Sequence, residues 1–261
     1  MEMSYKDIGM IKGSKTVPVK KTKALSRRDV REKVTVNRAD EWEEILPLDT
    51  DILNDKPTYR FVKRFFDILL STGALVLLSP FLVGVAIAIV IDDPHDGPLF
   101  IQERVGKNGK HFRILKFRSM IKGADAMKKE LEAMGINLKS PEDPTYKAED
   151  DPRNTRLGGL IRKISVDELP QLINIIKGDM SIVGPRPLVV DEVEKMNAFA
   201  MQRHLVRPGL TCYWQAASDR HDIKFDKWMK MDVEYIHNCS LWEDIKVIFR
   251  TVGIVFTGNN K

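Results

Sequence analysis

An uncharged stretch of 24 residues, from residue 68 to residue 91, constrains this chain more than any other feature. The stretch is long enough to cross a bilayer, since about 20 apolar residues suffice. Ser79 and Pro80 interrupt it near the middle, and a proline there leaves the carbonyl of Val76 without its helical partner. Because lipid offers no replacement, the sequence predicts either a hydrogen bond from the Ser79 hydroxyl or a sharp bend shielded by protein.

Basic residues flank this stretch on both sides, whereas a spanning helix is expected to collect them on one side only. The pattern therefore favours a re-entrant helix–break–helix anchor over residues 61–93, with both flanks in the cytoplasm. A proline-kinked spanning helix is the alternative, since proline is not rare in such helices. A secretory signal is not expected, because a long polar segment comes first. The flanking residues are Arg60, Lys63, Arg64, Lys107, Lys110, Arg113, Lys116, Arg118 and Lys122.

The composition outside this stretch is that of a soluble protein, so the expected membrane contact is local. The 261 residues carry a net charge of +5 and have a mean hydropathy of −0.26. A basic excess suits an anionic membrane surface, a phosphate-bearing substrate or nucleic acid. Basic and aromatic residues do not interleave as in RNA-binding proteins, so we expect no nucleic-acid partner. Cys212 and Cys239 lack metal-like spacing and are interpreted as reduced thiols.

Three parts are expected along the chain. Residues 1–60 form a polar, partly flexible extension with basic clusters, in which 42–53 is either a short helix or part of a tail without a role. Residues 61–93 form the anchor, and residues 94–261 form a small cytoplasmic domain.

Within that domain the pattern predicts a hairpin over 99–118 with its turn at Gly106–Gly109. It also predicts helices over 124–134, 168–177 and 191–203, and a proline-containing loop over 139–152. The helix over 168–177 is expected to end at Gly178. Four apolar residues share one face of this helix: Leu169, Leu172, Ile173 and Ile176.

Apolar residues recur at helical spacing near the C-terminus. With Trp228, Met229 and Trp242 nearby, the pattern is compatible with an amphipathic helix in the membrane interface. Ordinary core packing is the more frequent explanation of such a pattern. The recurring residues are Ile245, Ile248, Phe249, Val252, Val255 and Phe256.

Asp167 and Glu168 are adjacent carboxylates just before Pro170. Because proline is tolerated in the first turn of a helix, Pro170 places the N-cap at or near Asp167, and capping alone accounts for an acid there. The functional alternative is that one carboxylate attacks phosphorus and the other acts as a base. In that case Mg²⁺, with Asp167 as its ligand, lies between the carboxylates and the phosphates of a substrate.

Several cations are placed to hold a diphosphate beside these carboxylates. Arginine binds phosphate oxygens bidentately, so converging arginines fix a pyrophosphate, although each alone is as readily a structural or solvated charge. No glycine-rich nucleotide fingerprint and no histidine-rich metal motif accompany them. The candidates are Lys116 and Arg118 at the end of the hairpin, Arg162, Arg186 in the loop 184–187, and Arg220.

On these motifs the chain resembles the bacterial sugar transferases, the monotopic polyprenyl-phosphate phosphoglycosyl transferases. DELPQL followed by GDMSIVGPRP is highly specific, and the single apolar segment suggests a short, one-domain member. The matching stretches run in the family's order from about residue 60 to residue 256: KRFFD with LLSPF, LKFRSM, RKISVDELPQLINIIKGDMSIVGPRPL, RPGLTCYWQ and SLWEDIKVIF.

The resemblance implies an α/β, mostly helical monotopic membrane protein with a re-entrant anchor broken at Ser79-Pro80, a short hairpin and interfacial amphipathic helices. It implies transfer of a sugar phosphate from a UDP-sugar to undecaprenyl phosphate with Mg²⁺, releasing UMP, at the cytoplasmic face of the bacterial inner membrane. Such enzymes start O-antigen, capsule, exopolysaccharide or glycoprotein glycan assembly.

The resemblance also implies residue roles. Asp167 carries a covalent phosphosugar in a ping-pong mechanism, and Glu168 is the base toward the lipid phosphate. Asp244 matches a family acid near the site. Residues 123–151 are longer than in the smallest relatives and are expected to help to select the sugar. The positions at which the family keeps phosphate-contacting bases are Lys116, Arg162, Arg186 and Arg220.

Two positions depart from the family pattern. Many relatives have a Gly-Arg pair after Trp-Gln, where this chain has Ala-Ala-Ser-Asp before Arg220, so the role of Arg220 is in doubt. Many also have a basic residue where this chain has Gly159.

Two other classes of protein compete with this interpretation. One is a catalytically inactive scaffold or regulator tethered to the membrane, against which the intact carboxylate pair argues. The other is a multi-span phosphotransferase that acts by direct attack, against which the single apolar segment argues. The sugar is left open, and so is a homodimer, which no motif supports.

Overall fold

A 36-residue helix, α1 (Pro57–Asp92), is the longest element of the computed structural model. The structure describes residues 56–124, 127, 151–194, 196, 198–218 and 223–257, and all of them belong to one compact unit, Asp49–Lys261. Most of the predicted extension 1–60, helix 124–134 and loop 139–152 lies outside the described residues, as does Arg220.

Helix α1 continues through Ser79 and Pro80, where the sequence predicts a break between two helices. The Ser79 hydroxyl donates to the carbonyl of Val76 over 2.7 Å. That carbonyl is the one that Pro80 deprives of an amide partner, so the predicted replacement bond from Ser79 is confirmed. The re-entrant path of the helix through a bilayer stays a prediction.

Both ends of α1 are fastened to the same unit. At the N-terminal end, the Lys56 ammonium donates to the carbonyl of Cys239 over 2.9 Å. At the C-terminal end, the carboxylate of Asp92 accepts from the Leu157 amide over 3.1 Å. Between them Asp67, which is buried, accepts from the Ser181 hydroxyl over 2.8 Å. The predicted anchor and domain are therefore packed along one another rather than joined only at residue 93.

The opposite face of α1 is apolar and exposed. Val76, Leu77 and Ile91 are exposed to 69%, 80% and 76%. The helix is long and apolar enough to cross a membrane by length and composition. An uncovered apolar face of this size is costly in water, so it indicates contact with lipid or another apolar partner.

The predicted hairpin is confirmed. Strand β1 (Leu99–Val105) pairs antiparallel with β2 (His111–Phe117), with Leu99 opposite Phe117. A short 3₁₀ turn, Lys107–Gly109, joins the strands. Asn108 and Gly109 have φ values of 55° and 72°, a region in which asparagine and glycine are the usual residues.

The segment around the carboxylate pair differs from the prediction. Helix α2 (Arg156–Lys163) is followed by a 3₁₀ turn, Val166–Glu168, and then by α3 (Gln171–Lys177). Asp167 is not the N-cap of α3, because Ser165 has a left-handed φ of 58° and starts a separate turn, and Pro170 occupies the cap position. Gly178, with a φ of 97°, ends α3 as predicted.

Short elements follow. Strand β3 (Ser181–Val183) pairs in parallel with β4 (Gly209–Thr211). Between them the predicted helix 191–203 is divided into α4 (Val190–Val193), α5 (Ala198–Met201) and a 3₁₀ turn at Gln202–Leu205. Helices α6 (Phe225–Asn238) and α7 (Leu241–Thr257) complete the described part, which is mostly helical as predicted.

The C-terminal apolar pattern divides between core and surface. Trp228 and Met229 of α6 are only 2% exposed, so they are core residues and the expectation of an interfacial position is wrong for them. On α7, Trp242, Ile245 and Phe249 are exposed. That helix has a buried face and an exposed apolar face, which favours the interfacial interpretation over core packing.

Candidate active site

The turn Val166–Glu168 presents two carboxylates that are nearly buried. Asp167 and Glu168 are 9% and 8% exposed. Ser165 sets the turn, because its left-handed backbone conformation redirects the chain after α2, and its carbonyl accepts the Glu168 amide over 3.2 Å. A left-handed residue other than glycine costs about 1 kcal/mol, which the surrounding structure must offset.

Two cations meet on one oxygen of Glu168. The Lys116 ammonium and the Nη2 of Arg186 each lie 2.8 Å from Oε1 of Glu168. Lys116 also lies 3.9 Å from the Asp167 carboxylate. Burial opposes the charge of Arg186, but the adjacent Glu168 carboxylate raises the pKa of that guanidinium. The structure therefore brings together four predicted site residues from three segments that are distant in sequence.

The loop that carries Arg186 is fixed from two sides. The Nη2 of Arg203 donates to the carbonyl of Arg186 over 2.6 Å. With its amide oriented so that both ends are paired, Gln215 accepts from Nη1 of Arg186 over 2.8 Å and donates to the carbonyl of Leu210 over 3.2 Å. Gln215 is the last residue of the stretch RPGLTCYWQ, to which the sequence analysis assigns no role.

Glycines allow this loop to approach β4 closely. A Cβ on Gly184 would lie 2.4 Å from the carbonyl of Arg207, and one on Gly209 would lie 2.2 Å from the amide nitrogen of Gly184. Neither distance is compatible with a side chain. The two glycines therefore hold the Arg186 loop and the segment leading to Gln215 at a fixed separation.

Arg203 is itself held by a buried ion pair. Its Nη2 lies 2.7 Å from Asp232, and both side chains are at most 2% exposed. The guanidinium carbon of Arg203 lies 5.3 Å from the centre of the Trp228 ring. Burial raises the pKa of Asp232 to about 6, against the effect of Arg203. Burial and the charge of Arg203 lower the pKa of the adjacent His204 to about 4.

A small open cleft lies beside the Glu168 carboxylate, lined by Lys116, Glu168, Gln171 and Arg186. Arg104 of β1 lines the same cleft and was missed by sequence reasoning. The predicted hairpin contained the signal, because alternate residues of a strand face the same side. In the observed register, Phe100 lies opposite Lys116, so Arg104 shares the face of Lys116.

Arg118 makes other contacts than the phosphate contact that the sequence predicts. Its Nε donates to the carbonyl of Gly97 over 2.8 Å, and its Nη1 lies 2.5 Å from the carboxylate of Asp93. Its Nη2 donates to the carbonyls of Asp93 and Asp96. All three guanidinium nitrogens therefore hold the loop after α1, so the structure supports a structural role rather than the predicted phosphate contact.

Asp244 is also placed in a structural network. Its carboxylate is 2.8 Å from Lys63 and accepts from the hydroxyls of Tyr59 and Tyr235 over 3.0 and 2.7 Å. The Tyr235 hydroxyl oxygen also lies 3.2 Å from the carbonyl oxygen of Val183. Asp244 thus links α7 to α1 and, through Tyr235, to the strand that leads to Arg186.

Arg162 is half-buried on α2, beside a different acid. Burial opposes ionisation of Asp151, but hydrogen bonds from Arg153 and then the charges of Arg153 and Arg162 lower its pKa. A phosphate contact of Arg162 stays a prediction, as does that of Arg220.

The donor set fits a magnesium ion that is held mainly by a substrate. Within the described ranges, no group of three histidine, cysteine, aspartate or glutamate side chains is placed to hold a metal alone. Mg²⁺ usually takes one or two carboxylates together with phosphate and water oxygens. Asp167 and Glu168, which both lie within 4 Å of the Lys116 ammonium, provide that number of carboxylates.

The fold and the site define a class of protein in which a long, exposed apolar helix is packed on a small domain, with paired carboxylates and converging cations suited to phosphate chemistry. The profile of the bacterial sugar transferase family matches residues 58–258. The chain belongs to this family.

Individual relatives match over the same region. The galactosyl transferase CpsE of Streptococcus agalactiae serotype III (strain NEM316) is 43% identical over 210 residues, which cover 78% of this chain and 44% of CpsE. The undecaprenyl-phosphate galactose phosphotransferase of Salmonella typhimurium is 40% identical over 201 residues, covering 77% and 41%. The exopolysaccharide production protein ExoY of Rhizobium meliloti is 38% identical over 201 residues, covering 77% and 88%. This chain therefore spans less than half the length of the first two relatives and most of the third.

Proposed function

We propose that this protein transfers a sugar 1-phosphate from a UDP-sugar to undecaprenyl phosphate, giving undecaprenyl-diphosphate sugar and UMP. The observation that carries the proposal is the pairing of Glu168 with Lys116 and Arg186, next to Asp167, which lies 3.9 Å from Lys116. The proposal is supported by relatives that carry the names of a galactosyl transferase, an undecaprenyl-phosphate galactose phosphotransferase and an exopolysaccharide production protein. The reaction is the entry step of polysaccharide or glycan assembly.

In the first half-reaction, a carboxylate oxygen of Asp167 attacks the sugar-bearing phosphorus of the UDP-sugar. A bond forms between that oxygen and phosphorus, the anhydride bond breaks, and UMP leaves with the electron pair. Lys116 and Arg186 stand where negative charge accumulates on the phosphoryl oxygens, and preorganised cations stabilise such charge without reorganisation. The product is a phosphosugar on Asp167.

In the second half-reaction, an oxygen of the lipid phosphate attacks the same phosphorus, and the Asp167 carboxylate leaves. Glu168 accepts a proton from the lipid phosphate if that group arrives protonated. Lys116 and Arg186 hold the Glu168 carboxylate in place for this role. One small site can thus serve two dissimilar substrates in turn.

We include Mg²⁺ in the proposal: Asp167 would hold it together with the phosphates of the substrate, and it would neutralise negative charge on those phosphates. This part rests on the donor set and on the resemblance to the family. It predicts that a chelator of divalent metal stops turnover and that added Mg²⁺ restores it. Undiminished turnover in the chelator would remove Mg²⁺ from the account.

The proposed location is the cytoplasmic face of the bacterial inner membrane, where UDP-sugars are available. Attachment of both ends of α1 to one unit supports an anchor that enters and leaves by the same face. The exposed faces of α1 and α7 would then lie against lipid, with the carboxylates near headgroup depth.

The proposal is tested by UMP release from a panel of UDP-sugars with undecaprenyl phosphate and Mg²⁺. Release with one donor by the wild type, and its loss in a folded Asp167→Asn variant, is the expected result and names the sugar. No release with any donor from folded, membrane-bound protein contradicts the proposal and favours a scaffold of the same fold.

A further inference from the structure

Hydrogen bonds from two of its three guanidinium nitrogens hold the side chain of Arg104 in place. Its Nη2 donates to the side-chain oxygen of Gln102 over 2.6 Å, and its Nη1 donates to the carbonyl of Pro187 over 3.2 Å. Gln102 precedes it by two residues on the same face of β1, and Pro187 follows Arg186 directly. The side chain is therefore positioned by the walls of the cleft that contains Glu168.

The third nitrogen of Arg104 has no partner. Its Nε is shielded from solvent and makes no hydrogen bond in the structure. Arginine carries five N–H donors and no acceptor, so only an oxygen or another acceptor could satisfy this group. An unpaired donor in low-dielectric surroundings adds to the positive potential felt by a nearby anion more than the same donor would in water.

The charges around Arg104 favour an anion as well. Burial and the neighbouring charge of Arg186 lower the pKa of Arg104 to about 10, although the carboxylates of Glu192 and Glu168 oppose this effect. Arg104, Arg186 and Lys116 thus line one cleft in which Lys116 and Arg186 already share an oxygen of Glu168. A bound phosphate would relieve the repulsion between the two arginines.

We propose that Arg104 is a phosphate-binding residue of this cleft, and that its guanidinium donates to a phosphate oxygen of a substrate. The proposal rests on the proposed function only for the identity of the substrate. A nucleoside diphosphate and a lipid phosphate offer the same oxygen chemistry, so the experiment contains one arm for each source.

The test compares Arg104→Gln with Arg113→Gln in the full chain, purified in detergent. Arg113 lies on β2 of the same hairpin, but it is exposed and faces away from the side that carries Arg104 and Lys116. Arg113→Gln therefore removes the same charge from a position outside the cleft. Binding of inorganic pyrophosphate and of UMP is measured by calorimetry, and the KM values for the UDP-sugar and for undecaprenyl phosphate are measured separately.

Arg104→Gln is expected to weaken at least one of these interactions by about 10-fold to 100-fold, the range for a hydrogen bond to a charged group, whereas Arg113→Gln changes none. Weaker binding of pyrophosphate and UMP with a higher KM for the UDP-sugar assigns Arg104 to the donor diphosphate. A higher KM for undecaprenyl phosphate alone assigns it to the acceptor. Wild-type affinities and KM values in Arg104→Gln overturn the proposal.

Arg104→Lys is a second variant in case Arg104→Gln fails to fold, because it keeps the positive charge but lacks the planar guanidinium with its several N–H donors. Weakened binding in folded Arg104→Lys supports the proposal, and wild-type binding and KM values overturn it. The pyrophosphate arm also separates this proposal from the reaction. If the wild type transfers no sugar but binds pyrophosphate through Arg104, the proposed function fails and the phosphate-binding role of Arg104 stands.

Discussion

The Nη2 of Arg186 donates to Oε1 of Glu168 over 2.8 Å. The two residues come from different segments, since Glu168 lies in the 3₁₀ turn after α2 and Arg186 lies in the loop after β3. Their pairing therefore depends on the groups that position this loop, including Arg203 and Gln215, which hydrogen-bond to Arg186.

Gln215 is expected to act on the reaction through Arg186. Gln215→Leu removes the acceptor for Nη1 of Arg186, so the guanidinium loses one of its fixed positions. We expect kcat to fall by about 10-fold, the lower end for loss of a hydrogen bond to a charged group, with the fold retained. Steady-state kinetics with a thermal-unfolding control measures this. Gln215→Glu restores an acceptor and should recover part of the loss, and full activity of Gln215→Leu would show that Arg186 needs no such support.

Asp244 is expected to matter for stability. Asp244→Asn leaves the ammonium of Lys63 without its carboxylate in a nearly buried network, and breaking such a pair costs on the order of 3 kcal/mol. Chemical denaturation in detergent measures the change in unfolding free energy. Asp226→Asn is the matched control, because Asp226 is exposed in the first turn of α6 and its loss should cost less than about 1 kcal/mol. Equal costs for both substitutions would contradict the network.

Gly158 and Gly159 are adjacent on α2 but differ in their surroundings. A Cβ on Gly158 would lie 1.9 Å from the carbonyl oxygen of Ser119, whereas one on Gly159 would have no neighbour within 4 Å. Gly158→Ala should therefore destabilise the protein by at least about 1–3 kcal/mol, as for overpacking. Gly159→Ala should stabilise it by up to about 1 kcal/mol, as for glycine in a helix. The melting temperatures of the two variants, compared with that of the wild type, test this prediction. Shifts of the same sign in both variants would contradict the close packing of α2 against Ser119.

His204 is expected to weaken the fold at acidic pH. Burial and the charge of Arg203 lower its pKa to about 4. The unfolded chain therefore takes up a proton near pH 6.5 while the folded chain does not, and the stability contributed by His204 is lost as the pH falls from about 6.5 to about 4. Asp232, also beside Arg203, acts in the opposite direction, because its raised pKa of about 6 makes its contribution decline as the pH rises from about 3.8 to 6.

A substitution separates these two groups. His204→Gln removes the histidine contribution and keeps that of Asp232, so its melting temperature should fall less than that of the wild type between about pH 7.5 and about pH 5. His111→Gln removes a half-exposed imidazole instead and should follow the wild type. Identical pH profiles for His204→Gln and the wild type would contradict the assignment.

Local patterns in the sequence were sufficient to predict several elements. The hairpin over 99–118 followed from two alternating apolar runs around a Gly-Lys-Asn-Gly turn, and the end of α3 followed from Gly178. The bond from Ser79 followed from the need to satisfy one carbonyl beside Pro80. Each of these features depends on residues close together in the chain.

Features that depend on tertiary contacts were not predictable in the same way. Of Leu169, Leu172, Ile173 and Ile176, which the pattern places on one face, only Leu172 is buried. Ile175 is fully buried instead, in a cluster with Ile114 and Met180 that comes from other segments of the chain. Arg118 resembled a phosphate ligand by its position after Lys116, but the loop after α1 takes all of its nitrogens. The prediction that Asp167 is the N-cap of α3 was wrong because Ser165 adopts a left-handed conformation and starts a separate turn. Serine rarely adopts that conformation, so the sequence gives no sign of it.

The site itself was predicted in part. Motif resemblance selected Asp167, Glu168, Lys116 and Arg186, which the structure brings together. Gln215 and Arg203 were not given a role, because only the folded loop places them against Arg186. Strand alternation could have indicated Arg104 once Lys116 had been selected.

The central claim is that Asp167 carries the phosphosugar between the two substrates. Intact-protein mass spectrometry after incubation with the UDP-sugar and Mg²⁺, with no lipid acceptor, tests it most directly. The account predicts one sugar-phosphate adduct per chain together with one equivalent of UMP, both absent in Asp167→Asn, and loss of the adduct when undecaprenyl phosphate is added. UMP release by the wild type only when the acceptor is present, with no adduct at any time, would contradict the covalent mechanism and indicate direct transfer.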